Sequence, residues 1–182
     1  MIFIAELKEG INIALHPRVG TSRKMAIKET IGFYYAFSVI PTILLMISTA
    51  IFSSPSSRLT LVVSAAAGLW IGEPLGIFIC AAILHFFGKT LLRSFKNGYG
   101  ATFTAVTYMI LPALLLDWIT PVLIVGIVAL VAAWLWSIIV GILALSRQQE
   151  VSARKSLGVM LLAILVAVVM AVVVGVATAG LI

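Results

Sequence analysis

Charged side chains are scarce in this chain. Asp, Glu, Lys and Arg make up 10% of its 182 residues and hydrophobic residues 63%, whereas about a quarter of a soluble domain is charged. The apolar residues gather in long runs that leave no room for a soluble domain beside them. The composition therefore predicts an all-α integral membrane protein with two parts, a cytoplasmic N-terminal segment over 1–30 and a membrane domain over 31–182.

Residues that carry chemistry are also few. Cys80 is the single cysteine, which excludes an intrachain disulfide, and the chain has two histidines and six acids. The sequence holds no metal-ligand spacing and no HExxH, phosphate-loop, dinucleotide-binding or GxSxG motif. We therefore expect no enzyme activity, no cofactor and no metal. The net charge of +6 follows from the membrane topology given next, so we expect no nucleic-acid partner either.

The basic residues alternate with the apolar runs. Eleven of the twelve Lys and Arg residues fall where only one side of a membrane would meet them. They are Lys8, Arg18, Arg23, Lys24, Lys28, Lys89, Arg93, Lys96, Arg147, Arg154 and Lys155. The connections on the opposite side hold only Arg58. Because basic loops stay cytoplasmic, this distribution predicts five transmembrane helices, with the N-terminus in the cytoplasm and the C-terminus outside.

The second expected span leaves two geometries open. The five expected spans cover 31–52, 59–88, 101–116, 121–145 and 157–182. The second is longer than the ~20 residues that a span needs. It is either a long tilted helix bent at Pro74, which we prefer, or a re-entrant segment over 59–71 followed by a span that begins at Pro74.

An amphipathic interfacial helix is expected ahead of the first span. Apolar side chains recur at helical spacing over 1–15, and His16-Pro17 should end the helix. One face would hold Phe3, Leu7, Ile11 and Ala14/Leu15, and the other Glu6, Lys8, Glu9 and Asn12. Such a helix lies on the cytoplasmic leaflet or packs against the bundle.

Small residues recur every fourth position in three spans. They are Gly68, Gly72 and Gly76 in the second, Ala133, Ser137 and Gly141 in the fourth, and Ala167, Ala171 and Gly175 in the fifth. Close approach of helix backbones along such ridges holds membrane bundles together. The ridges pack within one molecule or join two copies in a homo-oligomer. For the second case we expect the ridge of the second span to be used, since its glycines leave the deepest groove.

Three polar residues in or beside the spans are candidate site residues. Glu73 interrupts an apolar run, and an intramembrane carboxylate indicates a cation or proton site. Its structural alternative is a helix start near the outer surface, where the helix dipole favours an anion. Asp117 is also expected toward the outside, within reach of a shared cation site. His85, near the cytoplasmic end of the second span, is either a pH-sensitive group or an interfacial polar side chain.

A basic cytoplasmic face is expected from the loops on the inner side. Its members are Lys89, Arg93, Lys96, Arg147, Arg154 and Lys155. Such a face binds anionic lipid headgroups at ~1 kcal/mol per cation, or an acidic partner. The general preference for positive charge on the inner side explains the same residues equally well.

The stretch from His85 to Leu157 resembles the membrane domain of the Yip family, the Ypt/Rab-GTPase-interacting five-span proteins. The residues that carry the resemblance are His85, the loop Lys96-Asn97-Gly98-Tyr99-Gly100, the run Ala101-Thr102-Phe103-Thr104-Ala105-Val106-Thr107-Tyr108 before Pro112, Trp136-Ser137 with Gly141, and Ser152-Ala153-Arg154-Lys155. The resemblance implies a non-enzymatic membrane protein that acts through partners. The long cytosolic region of the eukaryotic members has no counterpart in the ~30 residues before the first span. We therefore expect a short prokaryotic-type relative in the plasma membrane and doubt a GTPase partner.

Two functions follow from these observations. The first is a non-catalytic interaction or membrane-organising module that uses the packing ridges and the basic cytoplasmic face. The second is a small cation, proton or solute channel or transporter, with spans kinked at Pro41, Pro74 and Pro112 and Glu73 as the binding group.

Overall fold

The computed structural model describes residues 2–21 and 23–179, except for the side chains at 2, 3, 19, 123, 167 and 170–179. Every regular element in this part of the chain is helical. The helices are α1 (Ile2–Leu15), α2 (Pro17–Gly20), α3 (Ile27–Phe52), α4 (Arg58–Ala67), α5 (Glu73–His85), α6 (Tyr99–Leu116), α7 (Leu123–Gln148) and α8 (Ala153–Ala179). Short π-helices at Gly68–Gly72 and Phe86–Leu91 flank α5, and a 3₁₀ turn at Asp117–Ile119 follows α6.

Four helical stretches are long and apolar enough to cross a bilayer. They are Ile27–Phe52, Arg58–Leu91, Tyr99–Ile119 and Ile124–Gln148. The sequence prediction of an all-α integral membrane protein is thus confirmed for the described residues. Helix α8 corresponds to the expected fifth span, and much of it lies outside the residues whose side chains are described. The count of five spans and the orientation of the two termini stay predictions.

The second span is one continuous helical stretch from Arg58 to Leu91, the first of the two geometries expected for it. Its winding changes around Pro74, because proline has no N–H to donate to the preceding turn. The π-helix Gly68–Gly72 lies immediately before this position, and the Glu73 N–H donates to the Gly68 carbonyl five residues back. The helix therefore accommodates the proline by loosening one turn.

The centre of the bundle is α6, which packs against α3, α5 and α7. The run from Thr102 to Tyr108 is buried along its whole length. Its threonines bond within the protein: Thr104 Oγ1 lies 2.9 Å from Thr30 Oγ1 on α3, and Thr107 Oγ1 donates to the Phe103 carbonyl at 3.0 Å. Internal partners are what a membrane core requires, since lipid offers none.

The N-terminal helix forms as predicted, and the expected division of its faces holds for Ala14, which is buried, and for Lys8 and Asn12, which are exposed, but it fails for four other residues. Gly10, Ile13 and Ala14 are buried against the bundle, while Ile11 and Leu15 are exposed. Glu6 and Glu9, expected on the face opposite the apolar one, are partly buried and pair with Arg23. The cause is Gly10, which has no side chain and lets the helix backbone rest directly on the Phe37 ring of α3.

Candidate functional site

Glu73 lies at the junction of the π-helix Gly68–Gly72 and α5, and is partly buried. Its carboxyl Oε2 is 2.8 Å from the hydroxyl of Tyr34 on α3. The same hydroxyl is 2.5 Å from the Leu69 carbonyl. The hydroxyl has one proton, which it shares between the carboxyl oxygen and the backbone carbonyl. The carboxyl is thereby tied to α3.

The two carbonyls before Pro74 explain why tyrosines line this part of α3. In a regular α-helix, the Trp70 carbonyl would accept from the N–H of residue 74, four positions later. In a π-helix, where the spacing is five, the Leu69 carbonyl would accept from the same N–H. Proline leaves that position without an N–H. Tyr34 reaches the Leu69 carbonyl, and Tyr35 donates to the Trp70 carbonyl at 3.1 Å. The two tyrosine hydroxyls thus satisfy the carbonyls that proline leaves without a backbone donor, as a membrane interior requires.

Asp117 begins the 3₁₀ turn after α6 and is partly buried. Its backbone carbonyl accepts a hydrogen bond from the Thr120 hydroxyl at 2.6 Å. The part of the chain that the structure describes contains no group of three or more His, Cys, Asp or Glu residues that could hold a metal ion. Within that part no hydrogen bond joins Asp117 to Glu73.

His85 belongs to a junction at the opposite end of α5. Its Nδ1 lies 2.9 Å from the hydroxyl of buried Thr102 on α6, and its ring meets Tyr99 edge-on at 5.9 Å. The Thr102 hydroxyl also accepts a hydrogen bond from Gln149 Nε2 at 2.9 Å. His85 thus joins the ends of three helices.

Two glutamines at the end of α7, which the sequence patterns did not single out, bind distant segments of the chain. Gln148 is 1% exposed and Gln149 is fully buried. Gln148 Nε2 donates to the carbonyls of Thr21 at 3.0 Å and Arg23 at 2.7 Å, which fixes the N-terminal segment. Gln149 Oε1 accepts from the Asn97 N–H at 3.0 Å, which fixes the loop before α6. Two adjacent uncharged amides closing an apolar span are the signal that would have identified them.

The six residues of the basic cytoplasmic face lie at the helix ends around these glutamines. Five of the six are exposed, and Arg147 is half-buried, 3.5 Å from the Thr21 hydroxyl. Lys89 Nζ donates to the Lys96 carbonyl at 3.0 Å, and Lys24 pairs with Glu150 at 2.6 Å. Hydrogen bonds from Lys24 and Asn97 hold the pKa of Glu150 below its ordinary range. The structure therefore gathers the predicted positive charge at one end of the bundle.

The small-residue ridges differ in what faces them. On α7, Ala133, Ser137 and Gly141 are buried, and a Cβ at Gly141 would lie 2.7 Å from Met109 Sδ. On the Arg58–Leu91 stretch, Gly68, Gly72 and Gly76 are exposed, and apart from the adjoining turns of the same helix no described atom lies within 4 Å of a Cβ built on any of them. The ridge positions Ala167, Ala171 and Gly175 on α8 lie outside the described side chains.

An apolar groove separates α3 from α4. Its volume is about 510 Å³ and its lining includes Thr42, Met46, Val63 and Trp70. Trp70 Nε1 donates to the Thr42 hydroxyl at 3.0 Å, so the only polar groups at this wall satisfy each other. The groove offers hydrocarbon contacts and lacks a free charge.

Comparison with known proteins places these features in a family. No curated protein and no solved structure matches the chain. The family model described as the Yip1 domain matches residues 11–176, a range that includes the Pro74 junction, both glutamines and the open glycines. The helices found here are apolar and membrane-length over the same range. The chain belongs to the Yip1 domain family.

Proposed function

We propose that the chain is a non-enzymatic interaction module of a membrane, which associates with itself through the glycine ridge of the second span. The observation that carries this proposal is the open face at Gly68, Gly72 and Gly76. Three glycines on one exposed side of a membrane helix let a second helix approach closely, and such approach drives association where lipid provides no hydrophobic force. A second copy of this chain supplies a surface of the same shape.

The topology proposed with this function has five spans, including α8, with the N-terminus in the cytoplasm and the C-terminus outside. The clustering of positive residues around Gln148 and Gln149 supports this orientation, because cytoplasmic loops are rich in Lys and Arg. The same residues form the basic cytoplasmic face, for which we propose anionic lipid headgroups as ligands. By its resemblance to the short family members, we place the protein in the plasma membrane of a prokaryote and propose no GTPase partner.

The contacts of Glu73 argue against the second function, a channel or transporter. One carboxyl oxygen of Glu73, Oε2, is held by the Tyr34 hydroxyl, which also contacts the Leu69 carbonyl, so the side chain already serves a contact between two helices. The arrangement fits a structural contact between the second span and α3 better than an ion-binding site. We therefore assign Glu73 to holding the second span against α3.

Self-association is tested by enlarging the ridge. The Gly72→Leu variant should lose cross-linked or FRET-detected dimers in liposomes, because the leucine fills the space that a second helix would occupy. The matched control is Gly158→Leu, the same exchange at an exposed α8 position with no described neighbour within 4 Å. Both variants should remain folded by circular dichroism.

Equal dimer fractions in wild type and the Gly72→Leu protein would contradict the proposal. A loss of dimers that is equally large in the Gly158→Leu protein would also contradict it, since it would show a general effect of added bulk. Selective loss at Gly72 would locate the interface on the second span.

A further inference from the structure

We infer that the groove between α3 and α4 binds an acyl chain of an anionic phospholipid, and that Arg58 binds the headgroup of the same lipid at the end of the groove. The inference goes beyond the proposed function and rests on Ile27–Phe52 and Arg58–Leu91 crossing the membrane. The site is separate from the basic cytoplasmic face, which shares no residue with it.

The groove lies between corresponding stretches of two neighbouring helices. Its volume is about 510 Å³, with Thr42 and Met46 of α3 on one side and Val63 and Trp70 of the second span on the other. Two alanines, Ala66 and Ala67, belong to the same lining. Because alanine side chains are short, they leave a depression between Val63 and Trp70.

The described lining residues offer a ligand hydrocarbon contacts alone. Trp70 Nε1 donates to the Thr42 hydroxyl at 3.0 Å, and that hydroxyl donates to the Ser38 carbonyl at 2.8 Å. Both polar side chains of the lining are therefore already paired. A sugar, an ion or a peptide would lose its bonds to water here without replacement, whereas a hydrocarbon chain loses none. The groove thus selects an acyl chain.

Arg58 supplies the charge at one end of the groove. It is exposed and begins α4, and its Nη2 lies 3.5 Å from the carbonyl of Ser53, the residue that ends α3. The guanidinium therefore spans the turn 53–57, which contains four serines. A turn between two spanning helices lies at a membrane surface, where phosphate groups are found. Among the described residues Arg58 has no acidic partner, so a phosphate can bind it.

The distances along the second span match one leaflet. Val63 lies five residues after Arg58 and Trp70 twelve residues after it, which corresponds to about 7.5 Å and about 18 Å along the helix. Headgroups occupy roughly 5–7 Å on each side of a hydrocarbon core of ~30 Å, of which each leaflet fills half. With a phosphate at Arg58, the groove therefore follows the path of an acyl chain.

The glycine ridge leaves this groove open in a dimer. Successive helix residues are rotated by about 100°, so Gly72 points about 160° away from Trp70 and Gly68 about 140° away from Val63. A second copy packed on the glycines would therefore contact the opposite side of the helix. Lipid is then the occupant of the groove in both the monomer and the dimer.

Brominated phospholipids test the site, because bromine on an acyl chain quenches tryptophan fluorescence on contact and Trp70 lines the groove. The signal of Trp70 is the fluorescence that Trp70→Phe removes. Liposomes contain equimolar phosphatidylglycerol and phosphatidylcholine, with bromine on the chains of one or the other. We expect phosphatidylglycerol to occupy the groove about fivefold more strongly, since one cation contributes ~1 kcal/mol toward an anionic lipid.

Two variants separate the headgroup contact from the chain contact. Arg58→Gln should make both brominated lipids quench Trp70 equally, and Ala67→Leu should weaken quenching by both, because the leucine fills the groove. The matched controls are Lys28→Gln, at an exposed cation at the start of α3, and Ala132→Leu, at an exposed alanine of α7. Neither control should change the quenching.

Equal quenching by the two lipids in the wild-type protein would overturn the inference, since it would show unselected bulk lipid in the groove. Protection of Trp70 from both lipids would also overturn it, because protein would then cover the groove. Gly72→Leu should leave the quenching unchanged even where it abolishes dimers, which separates this site from self-association. If Ala67→Leu does not fold, Val63→Phe takes its place with the same expected loss.

Discussion

The fourth and second spans carry the same pattern of small residues and use it in opposite ways. On α7 the ridge through Gly141 is covered by α6, with the Met109 side chain against the glycine. On the Arg58–Leu91 stretch the ridge through Gly72 meets nothing that the structure describes. A small-residue spacing therefore shows that a close contact is available, and only the packing shows whether the chain fills it itself.

Enlarging one glycine on each ridge tests whether the space beside that glycine is filled. Gly141→Leu should lower the free energy of unfolding by about 3 kcal/mol, because the added side chain overlaps Met109 in a filled interface. Gly76→Leu should leave the stability of a single molecule nearly unchanged, since its Cβ position is open. Reversible unfolding in detergent micelles, in which the protein is monomeric, measures both.

Similar losses in the two glycine variants would contradict the comparison. They would mean that the two ridges are equally filled, or that leucine destabilises either helix by itself. The second explanation is checked with Gly158→Leu on α8, whose Cβ position also lacks described neighbours within 4 Å.

The second span also differs in how its backbone groups are satisfied. At Pro74 it relies on single hydroxyls from α3. Tyr34→Phe should cost about 1 kcal/mol of unfolding free energy, because it removes the donor to the Leu69 carbonyl and the partner of Glu73. Tyr35→Phe is the matched control and should cost less, since its bond to the Trp70 carbonyl is exposed.

Chemical denaturation of the Tyr34→Phe and Tyr35→Phe proteins gives the two costs directly. An equal and negligible cost at both positions would show that the carbonyls before Pro74 have other partners. A rise in proton leak through liposomes holding the Tyr34→Phe protein would point instead to Glu73 as a transport group.

The sequence predicted the membrane class and the helices because apolar runs specify both. It placed the start of α3 at residue 31 and the end of α7 at residue 145, whereas the helices extend to Ile27 and Gln148. The extra turns are polar. At the end of α7, Gln148 and Gln149 bond to segments more than forty residues away, and no local pattern contains such a contact. At the start of α3, the Ala26 N–H donates to the Glu29 carboxyl at 3.0 Å.

The candidate site shows the same limit. Glu73 was identified because a carboxylate in an apolar run is rare, but its partner Tyr34 is 39 residues away on another helix. The faces of α1 were predicted only in part, because the helical pattern does not contain the contacts that bury its acids. It contains neither Arg23, which pairs with Glu6 and Glu9, nor the Phe37 ring beneath Gly10.

The exposed ion pair of Lys24 and Glu150, beside the end of α7, should change the melting temperature least. Because the pKa of Glu150 is held below its ordinary value of 4.5, the pair adds stability above that value and loses it as the pH falls through the lowered pKa. Glu150→Gln should therefore melt slightly below wild type at neutral pH and equally with it once the pH is below the lowered pKa. Glutamine keeps the left-handed backbone at this position, φ 54°, so the exchange removes charge alone. If the difference in melting temperature persisted at the lower pH, the effect would belong to the backbone. If added salt left the difference unchanged, an exposed ion pair would be contradicted.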